Sequence, residues 1–281
     1  MMNNSFLTKL RVQFDHLKSV AEIHRHFENP WVIVLLRMGL IKTPYFLYRI
    51  KQQNRRYALL ARPTTTSCAD LFVLREVLVE EAYKDALALL TTKDIRLVDV
   101  GANLGSFTIW AHQVVGVREA FCFEPEPDSF RLLNFNLSLN NCSTAKTYES
   151  AVGGESRMIR ILLKKSSPGG TSIYGQNDSP EATNVPVIGF KKWLAEVEGG
   201  FDLLKMDCEG AEWEIIRQTD PKQFLRFQVV VAEVHDDPEG KRSIPEFKRS
   251  METLGFHTVR WDNKSQGLYV GTRTPIPAPK K

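Results

Sequence analysis

A buried strand that passes into a helix through a glycine turn is the feature that most restricts how this chain can fold. Residues 97–110 read LVDVGANLGSFTIW. The first residues are apolar enough for a strand buried on both faces, and the residues from Phe107 onward have the spacing of the inner face of a helix. Open α/β sheets bind ligands at such turns, beyond the carboxyl ends of their strands. The segment therefore predicts an α/β fold with a small-molecule site above this strand.

The turn lacks the glycines that are typical of a dinucleotide site. Asn103 stands where the dinucleotide fingerprint has its second glycine, and no Gly-Lys-Ser/Thr phosphate-binding loop occurs. The turn instead offers the carboxylate of Asp99, the amides around Gly101 and Gly105, and the side-chain amide of Asn103. A carboxylate acceptor beside amide donors suits a ligand that carries both an ammonium and a carboxylate, as the amino-acid part of S-adenosylmethionine does.

A second acidic position ends the next strand-like stretch, EAFCFEPEP. Its apolar run ends at Glu124, which is 25 positions after Asp99. In nucleotide-binding α/β folds, an acidic residue at about this distance accepts hydrogen bonds from ribose hydroxyls. Together these features favour a methyl donor over a nicotinamide dinucleotide.

Strand-like segments, among them KTYESAV and MIRILLK, alternate with helix-like segments along the rest of the chain. This alternation predicts a doubly wound, mainly parallel sheet of seven strands with helices on both faces. Only the residues DNKSQ separate the last two strand-like segments, FHTVRW and GLYVGTR. Such a connection is too short for a parallel crossover, so the last two strands should form an antiparallel hairpin. The stretch at 164–183, rich in Gly, Ser and Pro, is interpreted as either a substrate lid or a surface loop.

The first 62 residues differ from the rest in charge. They carry 11 Lys or Arg against 3 Asp or Glu, a net charge of +8, whereas the whole chain carries +4. We expect a basic, helix-rich amino-terminal extension over residues 1–62, followed by the catalytic domain over residues 63–281. The favoured interpretation of the extension is a cap that packs on the domain. Peripheral contact with an anionic membrane surface or an acidic partner is the alternative.

Cysteine spacing and hydropathy restrict the cellular context. The four cysteines are widely spaced and include no Cys-x-x-Cys pair, so we expect neither a zinc site nor a disulfide framework, and a cytoplasmic location. The most apolar stretch, WVIVLLRMGLI, has 11 residues and contains Arg37, which argues against a transmembrane segment. A small-molecule or glycan acceptor is the expected partner, with no nucleic acid, and the oligomeric state stays open.

The stretch LLKMDCEGAEWE places three charged residues where a strand gives way to a helix. Asp207 could orient an acceptor or take its proton, and Lys205 could bind an anionic group or shift a neighbouring pKa. The structural alternative is an ion pair between Lys205 and Glu209, with Glu209 or Glu212 favouring the start of the helix electrostatically. The next strand ends at Glu233 and His235. A neutral imidazole can remove a hydroxyl proton near neutral pH, so His235 is the expected base and Asp207 the orienting group.

A divalent metal is a less favoured alternative for the same residues. Asp207, Glu209, Glu233 and His235 together offer the oxygen-rich set that suits Mg²⁺ or Mn²⁺. An acid/base pocket accounts for them equally well, and we predict no metal ligand. The predicted catalytic set is Asp207, His235, Lys205 and Glu209.

Five ordered motifs give the chain a specific family resemblance. They are VDVGANLGSFT, FEPEPDSFRLLNFNLSLNN, SAVGG, FDLLKMDCEGAEWEII and VVVAEVH, and they extend over roughly residues 70–260. In these motifs the chain resembles the FkbM-type methyltransferases. The resemblance implies a Rossmann-like, S-adenosylmethionine-dependent methyltransferase, usually acting on a hydroxyl of a sugar, a glycan or another natural product. N-methylation and a non-catalytic binding scaffold remain as alternatives.

By motif position, the resemblance assigns parts of the cofactor to parts of the chain. It implies that the glycine turn holds the methionine part, that Glu124 holds the ribose, and that residues 150–152 lie near the adenine. The full predicted cofactor-binding set is Asp99, Gly101, Asn103, Gly105, Ser106, Phe107, Glu124, Pro125, Ser150, Ala151 and Asp207.

Overall fold

Helices and strands alternate through most of the chain, as the sequence pattern predicts. The computed structural model describes residues 21–63, 69–162, 182–237, 240, 243–262 and 267–274, so nearly all of the predicted lid segment lies outside the described residues. The amino-terminal elements are α1, described over 21–26, then α2 (Pro30–Arg37), β1 (Phe46–Gln52), β2 (Arg55–Ala61), α3 (Ala69–Leu78) and α4 (Lys84–Ala88).

The central elements run from the first buried strand to a small second sheet. They are β3 (Ile95–Val100), α5 (Ser106–Val115), β4 (Val117–Phe123), α6 (Pro127–Leu139), β5 (Ala145–Tyr148), β6 (Ala151–Gly153), β7 (Arg157–Leu162) and β8 (Ala182–Gly189). The carboxyl-terminal elements are α7 (Phe190–Glu196), β9 (Phe201–Met206), α8 (Ala211–Gln218), α9 (Pro221–Phe224), β10 (Phe227–Val234), α10 (Ile244–Thr253), β11 (His257–Trp261) and β12 (Gly267–Thr272).

Seven strands form the main sheet, in the order β11-β12-β10-β9-β3-β4-β5. The pairs from β10 through β9, β3 and β4 to β5 are all parallel, whereas β12 is antiparallel to both β10 and β11. The structure confirms the predicted doubly wound, mainly parallel sheet and its antiparallel last hairpin. β12 comes last among the described strands, yet it lies between β10 and β11 in the sheet.

The sheet is covered on both faces because successive strand residues point to opposite sides. In β3, Leu97 belongs to a core cluster with Phe107 and Trp110 of α5, and Val98 belongs to a separate cluster with Trp213 of α8. The neighbouring strand β9 divides in the same way, with Leu203 on one side. The continuous apolar runs that the sequence shows in these strands are thus explained by burial on two faces.

The stretch KTYESAV, interpreted from sequence as one strand, forms two. β5 ends at Tyr148 in the main sheet, and β6 begins at Ala151 in a separate three-stranded sheet of order β6-β8-β7. The segment MIRILLK, also expected in the succession of strands, contributes β7 to this small sheet. Glu149 and Ser150 therefore lie where the chain changes sheets, next to the carboxyl end of the main sheet.

The amino-terminal extension is helical in part only. Residues 21–26 and α2 are helices as expected, but β1 and β2 form an antiparallel hairpin with seven paired positions. The physical reason is the alternation of buried residues with a period of two, Tyr48 and Ile50 on one strand and Tyr57 and Leu59 on the other. The expectation of a helix-rich segment therefore needs correction over β1 and β2.

The hairpin packs on helices that cover the main sheet, because β2 contacts α3, α5 and α6. Tyr48, Ile50 and Leu59 share one core cluster with Leu97 of β3. Some apolar side chains of the extension are exposed to solvent, including Trp31 and the apolar residues that directly follow α2. Contact of the extension with a membrane surface therefore stays a prediction. None of the helices that the structure describes combines the length and apolarity needed to cross a membrane. The domain division at residue 62 also stays a prediction.

Candidate active site

The glycine turn is held close to the end of β9. Gly101 has φ +76°, and a Cβ there would collide with the carbonyl oxygen of Asp207. The amides of Gly101 and Ala102 both donate to the carbonyl of Phe123, at 3.0 and 2.9 Å. Gly101 is therefore required because two strand ends meet at this point. The sequence predicted a close backbone approach here, and the approaching group is the chain's own backbone.

The side chain of Lys205 holds the backbone of the same turn in place. Its side chain is 5% exposed, and its Nζ donates to the carbonyl of Gly101 at 2.6 Å. The Nζ also pairs with Asp99 Oδ1 at 3.3 Å and with Asp207 Oδ2 at 3.5 Å. Burial lowers the pKa of Lys205, but these two carboxylates outweigh burial and raise the pKa above its ordinary value. Lys205 is thus a fixed cation that holds the turn. Its ion pairs are with Asp99 and Asp207, and not with Glu209 as in the alternative interpretation.

Asp99 lies under the turn and not on the wall of the pocket above it. The residue is fully buried, and its Oδ2 accepts a hydrogen bond of 2.7 Å from Thr108 Oγ1. Its other oxygen pairs with Lys205. The geometry favours an indirect contribution, in which Asp99 orients the lysine that holds Gly101. Direct contact of Asp99 with the methionine part of a cofactor stays a prediction.

The carboxyl group of Glu124 connects the glycine turn to the end of β4. Its two oxygens accept hydrogen bonds from the amides of Asn103 and Glu126, both at 2.8 Å. Burial raises the pKa of Glu124 to about 7, although these two amides oppose the shift. The group is 5% exposed and faces the pocket described next.

A pocket lies over the carboxyl ends of β3, β4 and β9, where an open α/β sheet binds its ligands. It brings together seven of the residues predicted from sequence. The lining residues are Val100, Gly101, Phe123, Glu124, Pro125, Glu126, Ser150, Ala151, Val152, Asp207, Cys208 and Glu209. Val152, in the range 150–152 expected near the adenine, is an eighth. Val100, Phe123, Glu126 and Cys208 were missed, although each lies next to or near a predicted residue in the sequence.

Several predicted cofactor residues do not line this pocket. Phe107 packs edge-on against Tyr83 and next to Trp110, so it is a core residue of α5. Ser106 is also buried at the start of the same helix. Gly105 begins that helix with φ +82°, so its contribution is to the shape of the turn.

Two buried polar atoms give the turn and the pocket an unfilled hydrogen-bonding capacity. Within the described parts of the chain, neither Ser150 Oγ nor Asn103 Oδ1 has a hydrogen-bond partner. Ser150 lines the pocket, and Asn103 lies in the glycine turn. Buried polar groups without partners cost free energy, which a ligand with matching polar groups would recover. The residues present therefore fit a nucleoside ligand with an amino-acid end.

Glu212 organises the segment after β9. It is fully buried, and its oxygens accept from the amides of Cys208 at 2.8 Å and Gly210 at 2.9 Å. Its Oε1 also lies 3.2 Å from His235 Nδ1. The sequence considered Glu212 only as a residue that favours the helix start, and its contact with His235 was not foreseen.

His235 carries a proton at neutral pH in this environment. Burial lowers the pKa of the imidazole, but Glu212 and Glu209 outweigh burial and raise the pKa to about 9. The Nε2 atom lies 3.7 Å from Glu209 Oε2. The expectation that a neutral His235 removes a proton is therefore not favoured, because a charged imidazolium is no base.

A group of carboxyls lies on the other side of Asp207. Burial raises the pKa of Glu233 to about 7, and the charges of Asp207 and Glu76 add to this effect. The pKa of Glu76, from α3, is raised by burial and by Asp207 in turn. Glu233 entered the sequence analysis only as a metal-ligand alternative, and Glu76 was missed because nothing in its helix marks it. No three His, Cys, Asp or Glu side chains in the described ranges are grouped so that they could hold a metal ion.

The sheet order and the position of the pocket define the class of protein as a Rossmann-like methyltransferase. Residues 99–258 match the methyltransferase FkbM domain family, and the chain belongs to this family. Membership confirms the resemblance found in the sequence, and with it the predicted cofactor, S-adenosylmethionine.

Two relatives that are named as methyltransferases are consistent with this assignment. The chain is 24% identical over 205 residues to Methyltransferase 1 of Beauveria bassiana, a match that covers 66% of this chain and 80% of that protein. It is 25% identical to the 31-O-demethyl-FK506 methyltransferase FkbM of Streptomyces tacrolimicus, covering 59% and 74%. The crystal structure of methyltransferase FkbM from Methylobacillus flagellatus is similar with a TM-score of 0.46 and 14% identity; the match covers 65% of this chain and 45% of that one.

The charge of His235 makes protein stability depend on pH. Its pKa rises from about 6.5 in the unfolded chain to about 9 in the folded protein, so its contribution is complete below pH 6.5 and is lost as the pH rises through 9. Relative to wild type, His235→Asn should lower the free energy of unfolding by about 1 to 3 kcal/mol more at pH 6 than at pH 10. Denaturant titrations at several pH values measure this difference.

A matched control is His257→Asn, which replaces an exposed histidine on β11 and accounts for the general effect of removing an imidazole. If the stability deficit of His235→Asn is the same at pH 6 and pH 10, His235 does not carry the raised pKa.

Proposed function

We propose that the protein is an O-methyltransferase that acts on a hydroxyl group of a small molecule, such as a sugar, a glycan unit or another natural product. The observation that carries the proposal is the carboxylate of Asp207, which lines the pocket beyond the end of β9 and interacts electrostatically with the carboxyls of Glu233 and Glu76. Carboxyls accept hydrogen bonds from hydroxyls and can take their protons. One relative carries an O-methylation reaction in its name, which supports the same chemistry.

In this proposal the pocket holds the methyl donor through groups that are already in position. Each carboxylate oxygen of Glu124 accepts a hydrogen bond from one backbone amide and keeps a second lone pair for a ribose hydroxyl. Ser150 Oγ and Asn103 Oδ1 supply the remaining polar contacts. When bound, S-adenosylmethionine supplies an electrophilic methyl group on a sulfonium, and the transfer is an in-line displacement.

Alignment of the acceptor falls to the residues at the end of β9. The backbone amide of Asp207 donates a hydrogen bond to the carbonyl of Val100 at 3.1 Å, and its carboxylate pairs with Lys205. A carboxylate held in this way can accept a hydrogen bond from an acceptor hydroxyl and orient its oxygen. Lys205 stays protonated throughout and acts only as a positioning cation.

Removal of the hydroxyl proton is assigned to Glu233. A base works best when its pKa is close to the working pH, and the pKa of Glu233 is about 7. His235, with a pKa of about 9, is already protonated and helps to keep Glu209 in place. The assignment of proton removal therefore moves from His235 to its neighbour on β10.

Two alternatives remain from the sequence. N-methylation is the second candidate, because the same carboxyls would also attract an ammonium group. A non-catalytic scaffold is the third, and it predicts no cofactor affinity. A cytoplasmic location is retained as part of the proposal, supported by the free thiols of Cys122, Cys142 and Cys208.

The reaction type is tested by supplying methyl-labelled S-adenosylmethionine and the purified protein to a cell extract. We expect a labelled small molecule, identified by mass spectrometry, whose methyl group is bonded to oxygen by NMR. A methyl group on nitrogen would transfer support to the second candidate. Absence of both a product and cofactor binding would favour the scaffold.

Glu124→Gln tests the cofactor contact directly. The substitution removes the negative charge and turns one acceptor oxygen into a donor, which weakens charge-assisted hydrogen bonds worth about 1.5 to 3 kcal/mol each. The Kd for S-adenosylmethionine, measured by calorimetry, should rise at least about tenfold. Glu119→Gln, on the same strand but in an ion pair with Arg96, is the control and should keep the wild-type Kd. An unchanged Kd in folded Glu124→Gln would refute the contact.

Glu233→Gln tests proton removal once a substrate is available. Loss of a general base lowers turnover by about 10²- to 10⁴-fold, and the Kd for the cofactor should stay within about twofold of wild type. The rise of activity with pH around 7 should also disappear. Asp236→Asn, an exposed carboxylate nearby, serves as the control. Wild-type turnover in Glu233→Gln would exclude it as the base.

A further inference from the structure

Asn136 of α6 and Asn140, the residue directly after α6, pair with the edge of the amino-terminal hairpin as a strand would. Asn136 accepts from the amide of Leu60 at 2.7 Å and donates to its carbonyl at 3.0 Å. Asn140 makes the same pair of bonds with the backbone of Ala58, at 3.3 and 2.7 Å. Each side-chain amide therefore satisfies both polar groups of one residue on β2.

The spacing of this arrangement follows from the geometry of the two elements. Four residues of a helix rise about 6 Å, and two residues of a strand rise about 6.6 Å. Side chains four residues apart along the helix therefore match residues two apart along β2. The pairing covers the edge of β2 that does not pair with β1.

Asn136 has a third bond, and this bond reaches the glycine turn. Its Nδ2 donates to the carbonyl of Leu104 at 3.0 Å, and the residue is fully buried. Asn140 has no corresponding bond to the turn; its remaining bond, of 2.8 Å, goes to the carbonyl of Asn136 in α6. One amide group therefore joins the hairpin, α6 and the turn that carries Gly101.

A second connection runs from the end of the hairpin to Glu126 on the pocket wall. Arg62 donates to Glu126 Oε2 at 2.9 Å and to Ser129 Oγ at 2.9 Å, and it is held by a bidentate pair with Asp70. Glu126 lines the pocket and accepts from the first turn of α6. The hairpin is thus linked to two of the segments that carry or adjoin predicted cofactor-binding residues, the glycine turn and the end of β4.

We propose that the hairpin β1–β2 is a supporting part of the cofactor site, and that Asn136 is the positioning residue that couples the hairpin to the glycine turn. The inference rests on the proposed role of that turn in holding S-adenosylmethionine. It gives part of the amino-terminal extension a function that neither the sequence nor the family match assigns, since the matched residues begin at 99.

Asn136→Ala and Asn140→Ala form a matched pair for the test. Both lose two bonds to the hairpin, and only Asn136→Ala also loses the bond to Leu104. We expect the Kd for S-adenosylmethionine to rise about tenfold in Asn136→Ala and to stay within about twofold in Asn140→Ala. Similar melting temperatures for the two variants would separate the effect from general destabilisation.

Hydrogen exchange in the cofactor-free protein supplies a readout that does not depend on binding. The amides of residues 101–105 should exchange faster in Asn136→Ala than in Asn140→Ala, while the amides of β3 stay as protected as in wild type. A purely structural role for Asn136 would change the hairpin and leave the turn unaffected. Equal Kd values and equal protection of the turn in the two variants would overturn the proposal.

Leu60→Pro keeps the test decisive if Asn136→Ala does not fold. Proline removes the amide that donates to Asn136, together with the partly buried leucine side chain, and edge strands tolerate proline where the amide does not pair with a neighbouring strand. The matched control is Ala58→Pro, which removes the corresponding bond to Asn140. Weaker cofactor binding in Leu60→Pro alone supports the coupling, and equal binding in both variants contradicts it. If the wild-type protein itself binds no S-adenosylmethionine, the proposed function fails instead.

Discussion

The buried ammonium group of Lys205 is the interaction on which the site depends. Asp99 of β3 and Lys205 of β9 are register neighbours in adjacent parallel strands. Removing an ammonium from water is costly, and here one carbonyl and two carboxylates compensate for the lost hydration. Because Gly101 begins the turn and Asp207 ends β9, a single cation sets the distance between two walls of the pocket.

The charged groups around the pocket have different tasks. Lys205 and its partners lie beneath the turn, where they fix backbone and take no part in proton transfer. The imidazolium of His235 is held by Glu212 and Glu209 on another side. The carboxyls of Glu233 and Glu124 both have pKa values near neutrality, and of the two it is Glu233 whose pKa is raised further by the charge of Asp207. Neighbouring buried groups whose pKa values are shifted by burial and by one another's charges are typical of functional sites.

Features that depend on local sequence were predictable, and features that depend on distant contacts were not. The strand, the turn and Glu124 follow from buried runs, glycine positions and spacing within about 30 residues. The charge state of His235 depends on Glu212, which is 23 positions away and becomes its neighbour only through folding. Likewise, Glu76 and Asn136 look like ordinary helix residues, because their relevant partners come from elements that the sequence does not join to them. The hairpin β1–β2 was missed because charge, and not alternation, was the property considered there.

The position of β12 between β10 and β11 affects the order in which the sheet can be completed during synthesis. β10 pairs with β9 on one side, and its other edge is covered only by residues 267–272. Until those residues leave the ribosome, β10 presents an unpaired apolar strand edge, the kind of surface that associates with other chains. The site-bearing strands β3, β4 and β9 are synthesised long before that closure. A nascent chain can therefore carry every residue of the pocket and still be vulnerable to aggregation.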